Sequence, residues 1–297
     1  MTDTAKAVSL MILSALAFAV MASFVKLAGD VPIFEKVFFR NLISMFLAYG
    51  IVKSRGMRPF GTGKNLKFLF ARSIMGFAGV ILFFYSINHL YLADSSMLNK
   101  LSPFFVTFFA WAFLKERLTK VQVPALIIVF LASMLIIKPG FDLSILPSVA
   151  GFIGAMLAGG AYTVVRYLGG REEPSVIVFF FSFFSTLATI PFMLLDFRMP
   201  TEIELIFLMG TGVFAALGQF TMTIAYKYAP ASEIAIYNYT NILFSAILGW
   251  MLWAEVSDWW SITGGIIIVM ASVAVYLYNN GYLSFGMKRK KAPERAK

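Results

Sequence analysis

The side chains able to do chemistry in this sequence are few, and they stand in apolar surroundings. Lys100 follows Asn99 and precedes Ser102 by two positions, Arg40 adjoins Asn41, and Arg72 and Asp94 interrupt long hydrophobic runs. Farther along come Tyr162, then Gln219, Thr223 and Tyr226, then Glu233, Tyr237, Asn238, Tyr239 and Asn241. Tyr237 and Asn241, like Asn238 and Asn241, are spaced to share one face of a helix. Amides, phenols and single cations can hold a polar solute. Bond-making chemistry would need a nucleophile with its base, a pair of acids or a metal cluster. One histidine, no cysteine and no two acids one turn apart within an apolar run supply none of these, and no cofactor is expected. No GxxxxGK[ST] phosphate loop occurs, so direct use of ATP is not expected. A pore would need rings of charge or a carbonyl-lined filter, and no such segment is visible.

The elements that must position these residues are membrane spans. Of 297 residues, 60% are hydrophobic and 13% charged, with a mean hydropathy of +0.81. A soluble domain carries about 25% charged residues. Apolar runs of about 20 residues, enough to cross a hydrocarbon core as helix, fall near 6–28, 33–52, 67–89, 93–114, 121–138, 148–168, 174–195, 203–226, 231–252 and 260–279. The first is longer than a signal-peptide core and lacks a small-residue cleavage site, so it is expected to remain as a span. The longest connection, roughly 53–66, is too short for a domain outside the bilayer. The expectation is an all-α integral membrane protein of ten spans.

Loop charge gives the direction. With both termini in the cytoplasm, 18 of the 25 basic residues face inward, among them Lys53, Arg55, Arg58, Lys64 and Lys67, and Lys288 to Lys291 in the tail. Four face outward (Lys26, Lys36, Lys138 and Arg198), while Arg40, Arg72 and Lys100 lie within spans. This bias predicts an N-in, C-in multi-pass protein of the cell membrane, with a bacterial inner membrane the best match. The net charge of +10 thus reads as orientation and not as a nucleic-acid surface.

The two halves repeat at a shift of 139 residues. Ala110 to Glu116 lies over Gly249 to Glu255, Gly79 over Gly218 and Asp94 over Glu233; one residue more places Lys26 over Arg166. Five spans per copy is an odd number, so the second copy enters the membrane inverted. Accordingly the basic loop at Lys53–Lys67 has an acidic counterpart around Asp196, Glu202 and Glu204. Expected units are 1–140, 141–280 and a basic cytoplasmic tail, 281–297. Inverted repeats of this kind are the architecture of many secondary transporters, whose solute site lies near the midplane between the halves.

Ten spans in two inverted halves, fourth spans that end on Leu114–Glu116 and Leu252–Glu255, and Phe38-Phe39-Arg40-Asn41-Leu42 in the second span together resemble the EamA-type transporters of the drug/metabolite transporter superfamily. The resemblance covers nearly the whole chain. It implies a central cavity between spans 1–4 and 6–9, with spans 5 and 10 at the periphery, and it makes Arg40 part of a general pattern. It leaves amino acids, other metabolites, organic anions, choline-like cations and drugs open as solutes. One departure concerns the proline that the family often carries midway along both fourth spans: here Pro103 is matched by Ile242.

The resulting expectation is a secondary transporter, an exporter, of a small organic solute, working by alternating access and driven by protons or a counter-substrate, as a monomer or homodimer among membrane lipids. Lys100, Asn99, Tyr162, Gln219, Tyr237, Asn238 and Asn241 are the expected lining. Embedded cations favour carboxylate-bearing or zwitterionic solutes; the alternative is export or import of a choline-like cationic solute or drug. Lys100 either faces solute or forms an ion pair with Asp94 or Glu35. Arg40, Arg72, Asp94 and Glu233 are read as structural or coupling charges: Arg72 can extend toward the cytoplasmic surface, and Glu233 is either a proton-coupling carboxylate or a solvated first-turn acid.

Overall fold

In a computed structural model of the chain, the described residues are 3–115, 118, 121–138, 145–169, 171–228 and 235–279. The helices are α1 Asp3–Leu27, α2 Ile33–Ser54, α3 Leu66–His89, α4 Leu92–Asn99, α5 Ser102–Leu114, α6 Gln122–Ile137, α7 Leu146–Leu168, α8 Pro174–Leu195, α9 Glu202–Tyr228, α10 Thr240–Trp253 and α11 Trp259–Asn279. The pair α4–α5 makes one broken span, and a 3-10 turn at Ala235–Tyr239 leads into α10. Eight units are long and apolar enough to cross a membrane; α6 is a shorter apolar helix. With Ala235–Trp253 they complete two sets of five. The expected 281–297 tail lies outside the described residues.

Packing follows the inversion. Helix α1 packs on α9, and α7, the first span of the second half, packs on α3. Like spans also pair with like: α2 with α8, α4 with α10, and α6 with α11. At the α3–α7 crossing a Cβ on Gly79 would come 3.2 Å from the Gly154 carbonyl oxygen, so only small residues permit the approach. At the equivalent α1–α9 crossing, the Ser14 hydroxyl donates to the Gly218 carbonyl at 2.7 Å. Both fourth spans also end alike: Lys115 and Ala254, 139 residues apart, take left-handed conformations at φ 56° and 52° and close their helices.

The fourth spans break at matching positions as well. The first is interrupted at Lys100–Leu101, with Pro103 in the opening turn of α5, where its missing N–H leaves no helical bond unmade. The second changes from 3-10 to α at Tyr239–Thr240 without a proline, held there by the Thr240 hydroxyl donating to the Tyr237 carbonyl at 2.6 Å. Tyr239 lies 139 residues after Lys100, and its hydroxyl reaches the Lys100 carbonyl at 3.5 Å. The proline departure therefore does not remove the second break.

Buried hydroxyls in the bundle bond back to their own helices, as hydrocarbon surroundings require: Ser23 to Ala19, Thr163 to Gly159, Thr211 to Phe207 and Ser272 to Ile268. Large apolar side chains such as Phe113, Leu195 and Trp259 are exposed on the outer surface, where lipid would cover them.

Candidate solute site

Three helices drawn from both halves meet around one phenylalanine. Phe181 of α8 carries the Arg72 guanidinium of α3 over its ring, 3.7 Å from the centroid, with the Arg40 guanidinium of α2 at 5.8 Å. Gly76, one turn beyond Arg72, leaves room for this stack; a Cβ there would meet Arg72 Nη1 at 2.8 Å and the Phe181 ring at 3.0 Å. Tyr162 of α7 lies within electrostatic reach of both guanidiniums and is 44% exposed. Arg40 donates to the Asn41 side-chain oxygen at 2.8 Å, and Asn41 donates to the Val37 carbonyl at 2.8 Å. Arg72 is only 8% exposed, and its Nε and Nη1 have no hydrogen-bond acceptor among the described residues. It does not extend to the surface as the sequence allowed; the ring contact holds it inside.

Lys100 sits higher, at the break between α4 and α5. It is 7% exposed, and its Nζ donates to the Asn238 side-chain oxygen at 3.3 Å. Phe105, five residues below Lys100, packs on Gly159, three residues above Tyr162. At 1.5 Å per residue the two cationic levels are about 12 Å apart in depth. Neither expected partner reaches Lys100. Asp94 accepts from the Ser257 and Ser261 hydroxyls at 2.6 and 3.3 Å, and Glu35 has one oxygen taken by the Arg198 amide at 2.9 Å.

A matched pair stands at the outer end. Lys26, in the last turn of α1, bridges to Glu255 after α10, and both side chains are 13% exposed. The same ammonium donates to the Leu90 carbonyl at 2.8 Å and lies 5.3 Å from the Trp253 ring centroid. The second Glu255 oxygen accepts the Leu92 amide at 3.0 Å, satisfying an otherwise orphan donor at the start of α4. From the sequence, Lys26 reads as an outward-facing charge and a repeat match and Glu255 as the end of a fourth span, with nothing to pair them. Lys36, counted there as an outward loop charge, is fully buried in the first turn of α2, where it donates to the Gly29 carbonyl and the Asn88 side chain at 2.8 and 3.0 Å.

The remaining expected residues are dispersed. The Asn241 amide donates to the Ala15 carbonyl at 2.9 Å, tying α10 to α1. Tyr237, in the 3-10 turn, packs against Ala7, Met11 and Ala225. Asn99 ends α4, and Gln219 is partly buried on α9 beside Gly218. Glu233 lies outside the described residues.

Comparison with known proteins gives this geometry its context. The model of the EamA-like transporter family matches residues 5–138 and again 146–277. The chain belongs to that family. The pseudopaline exporter CntI of Pseudomonas aeruginosa is 36% identical over 90% of this chain and 95% of its own length. Human solute carrier family 35 member G1 is 24% identical over 88% of this chain and 76% of that protein. A crystal structure of a protein 15% identical covers 94% of this chain and 99% of that one at a TM-score of 0.68, a likeness of fold alone. This EamA-like chain is thus a multi-pass bacterial inner-membrane transporter and not an enzyme.

Within an EamA-like pair of repeats, the cations stand out because the fold does not require them. Shifted by 139 residues, Arg72 falls on Thr211, Lys100 on Tyr239 and Gly76 on Ala215. The second half builds the same spans with neutral residues at these positions. Among the described residues, none of Arg40, Arg72 and Lys100 is in an ion pair, whereas Lys26, Lys138 and Arg198 at the outer end are. Charge without a matching charge, carried by the first half and faced by the neutral Phe181 and Asn238 of the second, is an arrangement suited to an anionic group that comes and goes.

Proposed function

We propose that this transporter exports a small organic metabolite bearing carboxylate groups, by alternating access at a site between the two halves. The carrying observation is two buried cations, Arg72 and Lys100, with the partly buried Arg40 beside them, and no described carboxylate within ion-pair distance of any of the three. A buried unpaired cation costs several kcal/mol in hydrocarbon, about what a transported anion would offset on binding. Asn238, already bonded to Lys100, and Tyr162, within electrostatic reach of the arginines, offer neutral hydrogen-bonding groups near the charges. Asn99, Gln219, Tyr237 and Asn241 stand apart from the arginine level, Asn241 holding α1 to α10 and Tyr237 packing on α1 and α9, and are not assigned to the lining. The Lys26–Glu255 closure fits a state sealed on the outside and awaiting solute from the cytoplasm. Export is further supported by the relative named for pseudopaline export.

The test is uptake into inside-out vesicles, where export appears as accumulation. Labelled pseudopaline is the first probe, competed with a panel of carboxylates, their uncharged amides and quaternary amines. Accumulation inhibited by the carboxylates and not by the amides supports the reading. Inhibition by quaternary amines alone overturns it.

A further inference from the structure

We infer that Arg72, clamped on the Phe181 ring, is the receptor for a carboxylate of the transported solute, and that Gly76 is the clearance that lets it serve. This rests on the carboxylate reading above and deepens it by assigning the group to one side chain. Arginine presents a planar fork of donors that matches a carboxylate with two parallel hydrogen bonds, and its flat face stacks on aromatic rings. In Arg72 these two uses are separated: the face lies on Phe181 at 3.7 Å, while Nε and Nη1, on opposite edges of the guanidinium, are buried without an acceptor. Each offers one hydrogen bond, and a two-bond contact would pair either of them with Nη2.

A merely structural arginine would be expected to spend those donors on backbone carbonyls or a carboxylate, as Lys26 and Lys36 do. Ring stacking fixes the guanidinium in advance, so less ordering is needed when an anion arrives. Arg40, over the same ring and already bonded to Asn41, adds positive potential while keeping a fixed place. Ser185, four residues after Phe181 and on the same face of α8, is fully buried with its hydroxyl unpartnered, a further donor on that side. The counterpart position Thr211 bonds its own helix at Phe207, so the second half has no equivalent receptor.

Gly76 gives a test that leaves every charge in place. A methyl group there would come within 2.8 Å of Arg72 Nη1 and 3.0 Å of the Phe181 ring, so Gly76→Ala displaces the guanidinium, the movable end of a long side chain, and disturbs its stack on the ring. The experiment measures apparent Kd for citrate and glutarate, with glutaramide as the uncharged control, by thermal shift of the detergent-purified full chain. Arg72→Gln and Arg72→Lys are expected to weaken citrate at least tenfold, and Gly76→Ala and Phe181→Leu about threefold or more. Lys100→Gln is the comparison.

If wild type binds citrate but all four variants stay within twofold of it, Arg72 is not the receptor, and the carboxylate reading survives through Lys100. If wild type binds neither carboxylate and responds to choline, reading and inference both fall. Should Arg72→Gln fail to fold, Gly76→Ala and Phe181→Leu still decide the question.

Discussion

The outer end of the bundle and the Phe181 region use the same residue types in opposite ways. Outside, Lys26 meets Glu255, Lys138 meets Asp258 and Lys36 is met by a carbonyl and an amide. Around Phe181, two arginines share one ring, and no described acid answers them. A cation buried with its partner holds helices together; a cation buried without one raises the energy of the empty protein and lowers that of the loaded one. The identity of the residue does not decide its role. Its neighbours do.

The comparison breaks first at Glu255. Glu255→Ala strands the Lys26 ammonium and uncovers the Leu92 amide, and removal of one partner of a buried pair costs about 3–5 kcal/mol. We expect a large fall in Tm in detergent, and less than additive loss when Lys26→Met is combined with it. A change of less than about 1 kcal/mol would mean that the outer pair does not hold the bundle closed.

Arg72→Met should do the reverse. Exchanging an unpaired buried cation for an apolar side chain of similar length is expected to leave Tm unchanged or raised, while transport into inside-out vesicles falls at least tenfold. A loss of stability as large as that of Glu255→Ala would make the two regions alike and Arg72 structural.

The smallest effect sharpens the comparison by removing burial from it. Asp258 and Lys138 are matched, yet their side chains are 47% and 40% exposed. Burial raises the Asp258 carboxyl, but the Lys138 ammonium and the Ser261 amide outweigh this and hold it below the usual carboxylate value. Its contribution is therefore complete above that usual value and lost as pH falls through the lowered one. Asp258→Ala should cost about 1 kcal/mol at neutral pH, mostly as the N-terminal cap of α11, and the gap from wild type in Tm should shrink on acidification. A gap that grows in acid would contradict the assignment.

The sequence by itself determined the spans, their direction and the inverted repeat, because apolar length and loop charge act locally and add along the chain. The 139-residue shift located pairs that the fold uses alike, such as Gly79 with Gly218 and the helix ends at Lys115 and Ala254. Only the tertiary structure decided what each polar residue does. Arg72 and Phe181 are more than a hundred positions apart, as are Asn241 and Ala15, and no spacing rule links either pair. Lys36 looked like a loop charge because position in a sequence does not report burial. The second break, at Tyr239, came without proline because hydrogen bonds to the Tyr237 and Lys100 carbonyls help to hold it. In hydrocarbon the energy of a charge depends on what lies within a few ångströms, and that is set by which helices the fold brings together.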